Sequence, residues 1–348
     1  MANLAALLTA VNTPLEIQEV EKWTPDPTEI LVKNEVIAFN PIEWKLAKLG
    51  IYPLHFPAIL GSTIGGTIEA VGSEVKGYEV GDKVVASKKF GQKFGADGNR
   101  FGAYQRYVVV GDVMISKLPT GLDPAVPASI MMNLTCVVGL FTGRLGLERP
   151  PLNGSKAAKK SEKILIYGGS SSFGTLSIQY LSQAGYSVTT TSSPKNKDFV
   201  SKLGAATVID HTGQSEALSK ELIAKGPYDI VVDMISLPNT IPILAGVLAA
   251  QDGGNSLYAM QPAFGPETLP KGVTRVFEPW SDPLYEDGNQ HLLEWVIKTY
   301  LPQGLANGVI NPVPVERVAG GLSGVNGALD RMQKGVSGRR LVAYPWER

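Results

Sequence analysis

Two stretches of this 348-residue chain have residue types and spacing suited to chemistry. The first is Gly168-Gly169-Ser170-Ser171-Ser172-Phe173-Gly174, which follows the apolar run Ile164-Leu165-Ile166-Tyr167 and opens a segment with helical spacing. Small residues at a strand-to-helix turn let a phosphate reach the backbone, where unpaired N–H groups and the helix dipole favour an anion. Ser171 stands at the central glycine position, so the dinucleotide fingerprint is imperfect. The second stretch, Ser192-Ser193-Pro194-Lys195-Asn196-Lys197, ends the next apolar run. An NAD site places an acid at such a strand end for the ribose hydroxyls, whereas an NADP site needs donors and positive charge for the 2′-phosphate. No acid precedes Asp198 there, so NADPH is the expected cofactor, with Gly168 to Phe173 at its phosphates and Ser193, Lys195, Asn196 and Lys197 at the additional phosphate. A solvated loop opening a helix with Ser-Pro chemistry fits the second stretch as well.

The elements that must position these residues follow from periodicity. Residues 163–167, 187–191, 207–209, 230–233 and 256–260 read as apolar strands interleaved with helical segments, the pattern of a doubly wound parallel sheet. The first third is different: short β-like runs at 29–33, 66–71 and 104–110 are separated by turn signals such as Val71-Gly72-Ser73 and Val80-Gly81-Asp82. The Pro- and Lys-containing stretch 148–160 reads as an exposed loop between the two patterns. Beyond them come a helix over 291–301, a β-like return over 309–313, a short helix over 326–334 and a closing strand over 340–344.

Composition narrows the function classes. The chain is 44% hydrophobic with a formal net charge of zero and no long block of one sign, which argues against a nucleic-acid groove or a polybasic membrane anchor. Cys136 is the single cysteine, so no intrachain disulfide forms and a reducing compartment fits; it reads as a small buried residue. The N-terminus reads as a first strand, and no apolar run is expected to reach the roughly 20 residues that span a bilayer. The expectation is a soluble, cytoplasmic protein.

Several ordered motifs resemble the medium-chain dehydrogenase/reductase superfamily nearly end to end. They are Asn40-Pro41-Ile42-Glu43-Trp44-Lys45, the stretch from Pro57 to Gly66, Val80-Gly81-Asp82-Lys83-Val84, the glycine-rich turn, Leu203-Gly204-Ala205, and Gly335-Val336-Ser337-Gly338-Arg339-Arg340-Leu341-Val342. The resemblance implies an α/β fold: a GroES-like β-barrel catalytic domain plus a Rossmann doubly wound parallel sheet domain. The expected boundaries are 1–126 for the first, 127–284 for the cofactor domain and 285–348 for a segment returning to the first. The Asn-Pro-x-x-x-Lys arrangement and Tyr167-Gly168-Gly169-Ser170 resemble the zinc-independent branch, and within it fungal trans-acting enoyl reductases of polyketide biosynthesis.

Zinc members of the superfamily hold metal with cysteine and histidine, but the matching positions here read Asn40 and Gly61-Ser62-Thr63, and His55, His211 and His291 show no ligand spacing. No metal is expected. Lacking a Lewis acid to stabilise an alkoxide, the site suits reduction of an activated C=C bond better than alcohol oxidation.

The resemblance also assigns roles. Lys45 is placed near cofactor ribose and substrate, Tyr52 is a candidate acid, and Thr135, read as opening the helix before the cofactor domain, is placed beside nicotinamide and thioester. His211 is placed near adenine, Met260 near the nicotinamide and Arg340 near the cofactor. Each has a packing or surface reading beside the functional one. Pro262-Ala263-Phe264, Trp280 and Tyr285 either line an apolar acyl pocket or pack. The expected reaction is NADPH-dependent reduction of an α,β-unsaturated thioester or carbonyl, with a small-molecule or carrier-bound acyl substrate and a polyketide synthase as a candidate partner. Alternatives are a quinone or small-enone oxidoreductase and an NADPH-binding partner protein without turnover.

Overall fold

The computed structural model describes residues 2–88, 95–252, 255–263 and 265–347. Phe264, one of the residues named for an acyl pocket, lies outside them. The chain divides into two compact units: Met1–Met132, Ile297–Pro302 and Pro314–Arg348 form the first, and Asn133–Val296 and Gln303–Val313 the second. Residues 285–296 and 303–313, placed by sequence in the return segment, therefore belong to the second unit.

The first unit opens with β1 (Asn3–Leu8), β2 (Glu16–Val20) and β3 (Glu29–Ala38), followed by α1 (Pro41–Leu49). Next come β4 (Ala58–Ile59), β5 (Thr63–Val71), β6 (Lys83–Ser87), β7 (Tyr107–Gly111) and β8 (Ile115–Lys117). Alternate apolar residues of these strands, such as Ile30, Val32, Ile64 and Ile68, are fully buried in one core. β3 is the organising strand, pairing antiparallel with both β5 and β7. At Gly66 of β5 an added Cβ would lie 2.1 Å from the Lys33 carbonyl of β3, so only glycine permits the approach. The register shifts between Asn34 and Val36, a bulge that bends the strand close by.

α2 (Ala125–Val138) carries the chain from the first unit into the second. With the π-turn Gly139–Arg144 it makes a 20-residue apolar helix, Ala125–Arg144, long enough to cross a membrane by length and composition. The expectation that no run reaches this length is thus corrected. Most of the helix is buried within the protein, and an apolar surface covered by protein needs no lipid. It is the one such helix among the described residues.

The second unit contains β9 (Lys163–Tyr167), α3 (Ser172–Gln183), β10 (Ser187–Ser192), α4 (Lys197–Lys202), β11 (Thr207–Asp210) and α5 (Ser215–Lys225). It continues with β12 (Ile230–Asp233), α6 (Ile241–Ala249), β13 (Ser256–Ala259), β14 (Thr274–Val276) and α7 (Gln290–Trp295), and α8 (Leu301–Ala306) begins in the first unit and ends in the second. The strands form one parallel sheet in the order β11-β10-β9-β12-β13-β14, as the alternating pattern predicts. Chain order reverses between β9 and β12, and ligands of such sheets bind at the carboxyl ends of the strands beside that switch point. Leu165, Val231 and Leu257 of the sheet pack with Leu222 of α5 and Leu244 and Leu248 of α6.

The chain closes in the first unit with β15 (Val315–Val318), α9 (Val325–Lys334) and β16 (Arg340–Ala343); β15 and β16 join the sheet beside β3. The β-like return predicted over 309–313 is not a strand; β15 begins only at Val315. Pro312 and Pro314 have no N–H to give a ladder. Side chains satisfy the backbone instead: Gln183 Nε2 donates to the Val309 carbonyl at 2.7 Å, and the Gln179 amide exchanges bonds with Asn311 at 2.7 and 3.0 Å.

Candidate functional site

In the second unit the glycine-rich turn sits directly after β9. Gly168 takes φ +88°, a left-handed conformation that disfavours any side chain. Its N–H donates to Thr191 Oγ1 at 2.9 Å, and the Gly169 N–H donates to the Thr191 carbonyl at 2.8 Å, tying the turn to the end of β10. A Cβ at Gly169 would lie 2.3 Å from Thr190 Oγ1, and one at Gly174 only 2.4 Å from the Gly168 carbonyl. The serine that breaks the fingerprint has a local reason. Ser171 is the N-cap of α3, and its Oγ accepts from the Gly174 N–H at 3.0 Å. Ser170, Ser172 and Phe173 remain half-buried, so the first turn of α3 is accessible to an anion. The cradle fits a dinucleotide phosphate.

The other second-unit candidates fall at the same carboxyl edge. Ser193 opens the short 3₁₀ turn Pro194–Asn196 after β10, and Asn196 Nδ2 lies 3.4 Å from Ser193 Oγ. Lys195 and Lys197 are exposed. His211 follows β11, half-buried, with its ring 6.0 Å from that of Tyr167 at the end of β9. Met260 follows β13, and its N–H donates to Ser236 Oγ at 2.7 Å.

That last bond belongs to a network sequence reasoning missed. Asp233 closes β12, fully buried, and accepts from Ile235 N–H at 2.9 Å and Thr240 Oγ1 at 2.5 Å. Burial raises its carboxyl pKa, against the hydrogen bond from Thr240. Ser236 takes φ +55° and bonds the Asp233 carbonyl at 2.6 Å, fixing the turn that meets Met260. An acid closing a strand, with Ser and Thr three and seven residues on, was the available signal.

Thr135 does not open a helix. It lies inside α2 with 2% exposure, so a capping role is excluded. Burial pushes the neighbouring Cys136 thiol up to about 12, which disfavours the thiolate. Trp280 is buried with Nε1 donating to the Ala259 carbonyl at 2.7 Å, whereas Tyr285 is half-buried. A cavity of about 280 Å³ beside α6, lined by Pro238, Ile241, Pro242 and Leu269, contains none of the predicted residues.

In the first unit, α1 carries Lys45. Asn40 is its N-cap, Pro41 its first residue, and Gly50 its left-handed C-cap at φ +59°. Lys45 is half-buried, and burial lowers its ammonium pKa. Its Nζ lies 5.9 Å from the Trp44 ring centroid. Tyr52, on the loop after α1, is 49% exposed. Lys88, which sequence reasoning passed over, directly follows β6; its N–H donates to the Ser62 carbonyl at 2.7 Å, and burial brings its ammonium down to about 8.

Below α1 lies a buried polar cluster. Glu43 is 0% exposed, Asn40 4% and Arg340 6%. Glu43 Oε2 accepts from the Asn40 N–H at 2.8 Å and the Tyr104 hydroxyl at 2.7 Å; Oε1 accepts from the Ser62 N–H at 2.9 Å and Asn40 Nδ2 at 3.3 Å. Arg340 Nη2 donates to Asn40 Oδ1 at 2.6 Å, and Asn40 Nδ2 lies 3.3 Å from Thr63 Oγ1. Burial raises the Glu43 pKa and lowers that of Arg340 to about 10, each charge opposing the other's shift. Arg340 is thus engaged inside the first unit. At the positions where zinc relatives hold metal, this chain has an amide and hydroxyls, one of them bonded to a guanidinium, a donor set that does not fit zinc. Among the described residues no group of three or more His, Cys, Asp or Glu could hold a metal ion.

Residues 26–120 match the alcohol dehydrogenase GroES-like domain. The chain is 31% identical to a trans-enoyl reductase of Aspergillus japonicus, himH, over 90% of this chain and 89% of the relative. A quinone oxidoreductase structure from Pseudomonas syringae pv. Tomato superposes with a TM-score of 0.75 at 21% identity, covering 99% of this chain and all of the other. A mycobacterial protein solved with NADPH gives 0.74 at 20% identity, with 99% and 100% covered. With its two sheets and its Gly168–Gly174 turn, the chain belongs to the medium-chain dehydrogenase/reductase superfamily, in the part related to fungal enoyl reductases and quinone oxidoreductases.

Proposed function

We propose that this protein is an NADPH-dependent oxidoreductase that, without zinc, reduces an electron-poor conjugated carbonyl compound: a quinone to its hydroquinone, or a small enone at its C=C bond. The observation that carries the reading is the glycine cradle at the switch point of the parallel sheet, followed at the next strand end by Ser193, Lys195, Asn196 and Lys197 with no acid among them. NADPH, when bound, supplies the hydride. The backbone from Gly168 to Phe173 holds its pyrophosphate, and Ser193, Lys195, Asn196 and Lys197 hold the 2′-phosphate. His211, half-buried after β11, would hold the adenine, and Met260, after β13, would line the nicotinamide end of the site. Lys45 donates a hydrogen bond to the carbonyl oxygen as negative charge builds there, and Tyr52 is the candidate proton donor. Thr135 is buried in α2, and the resemblance places it beside the nicotinamide and the acyl group.

The identity to a trans-enoyl reductase over nearly the whole chain favours a second reading in which the acceptor is an α,β-unsaturated acyl thioester on a small thiol or a carrier, a polyketide synthase being the candidate source. NADPH oxidation followed across quinones, small enones and acyl-pantetheine enoyl thioesters separates the two. Turnover of quinones or enones alone supports the first, and preferential turnover of thioesters the second. Tight NADPH binding with no turnover of any acceptor contradicts both.

A further inference from the structure

Glu43 is a fully buried carboxylate on the helix that carries Lys45. Burying a charge costs several kcal/mol unless it is paired and hydrogen-bonded, and here every partner is built in. The donors come from the N-terminus of α1, from Ser62 before β5 and from Tyr104. Arg340 of β16 completes the cluster through Asn40, the residue that starts the helix. Segments far apart in sequence therefore meet at the first turn of α1, two residues before Lys45. The apolar side of α1, through Leu46 and Ala47, seats the helix on the core. At its C-terminal half the Asn12 N–H donates to the Ala47 carbonyl at 2.7 Å and Lys48 pairs with Asp330 at 2.9 Å, and the Glu43 cluster is the directional anchor of its first turn.

We infer that Glu43, acting through Asn40 and Arg340, is a positioning residue that fixes the first turn of α1 and thereby aims the Lys45 ammonium at the oxygen of the substrate. This rests on the role proposed for Lys45. A misplacement of about 1 Å in a catalytic group costs up to ~100-fold in rate, so loosening the clamp is expected to register in turnover rather than in the fold alone.

The test is a double-mutant cycle of Glu43→Gln and Lys45→Ala in the full chain, read by kcat/KM for the best acceptor of the panel above. Glu43→Gln is expected to lose about 10- to 100-fold, and the double variant no more than Lys45→Ala alone. Losses that multiply overturn the inference, because Glu43 then acts independently of Lys45. A Lys45→Ala protein with wild-type turnover overturns the role of Lys45 and the inference with it; a normal Lys45 loss with multiplying effects overturns the inference alone. A second readout needs no turnover: the pH titration of ¹³C-dimethylated Lys45, assigned by its absence in Lys45→Arg. Losing a neighbouring carboxylate lowers a lysine pKa by electrostatics alone, whereas a freed, better solvated ammonium titrates higher, toward the ordinary value near 10.4. An upward shift in Glu43→Gln is the predicted result, and a downward or absent shift contradicts it. Should Glu43→Gln fail to fold, Arg340→Lys, which keeps the charge but not the reach to Asn40, enters the same cycle.

Discussion

The glycine-rich turn of the second unit and the buried cluster of the first solve opposite problems. The turn leaves backbone N–H groups accessible and removes side chains from their path; at Gly169 and Gly174 a single added carbon would clash. The cluster seals its charges away, and each buried oxygen of Glu43 is answered by one donor from Asn40 at its own helix start and one from another segment, Tyr104 or Ser62. One is built to receive an anion from outside and the other to satisfy an anion of its own. The turn therefore tolerates no added bulk, while the buried carboxylate of the cluster needs its full set of donors.

The largest effect expected from that contrast is in the cradle. Gly174→Val should weaken NADPH binding by about 100-fold, equivalent to about 2.7 kcal/mol, in a fluorescence titration, with the first unit's folding unaffected; unchanged affinity would show that the turn is not the phosphate site. Lys45→Ala should lower kcat/KM by up to ~100-fold, the scale of losing one donor to a developing oxyanion, and Lys45→Arg should recover part of it. In the role proposed for Lys45 the protonated form is the active one, and burial lowers its pKa. Activity is therefore predicted to fall with rising pH before the ordinary lysine range is reached, and a flat profile through that range would break the assignment.

A smaller effect is expected for Ser171→Ala. Loss of the cap should cost about 1 kcal/mol in denaturant unfolding, with NADPH affinity little changed. The smallest concerns Lys88, whose ammonium is brought down by burial to about 8 in the folded chain, from the ordinary lysine value near 10.4. The unfolded chain binds the extra proton between those values, so this residue makes stability rise with pH across that window. Lys88→Met should flatten that slope relative to wild type, and an unchanged slope would contradict the burial of the ammonium.

The sheet of the second unit was legible because its strands are short apolar or β-branched runs, such as β9 and the Thr-rich β10, and its first turn uses glycine, both local signals. β9 and β12 match residues 163–167 and 230–233 as read from sequence. The strand expected at 309–313 failed because the apolar pattern competed with two prolines, and the satisfaction of that backbone by Gln179 and Gln183 depends on residues over a hundred positions away. Thr135 was misplaced because helix α2 begins at Ala125 rather than near it. In the candidate site, Lys45 and the cradle could be named from motifs, but the clamp could not. The residues around Glu43 give no sign that its carboxylate is buried, and Arg340, some 300 positions on, gives no local hint that it bonds Asn40. Long-range polar pairing leaves no periodicity to read.

Calorimetric titration of the protein with NADPH and NADH, repeated on the Lys195→Ala/Lys197→Ala variant, tests the central claim most directly. The account predicts NADPH binding at least about tenfold tighter than NADH, roughly 1.4 kcal/mol, with the preference collapsing in the variant while NADH affinity is retained. Equal affinity for the two nucleotides in the unaltered protein would contradict it.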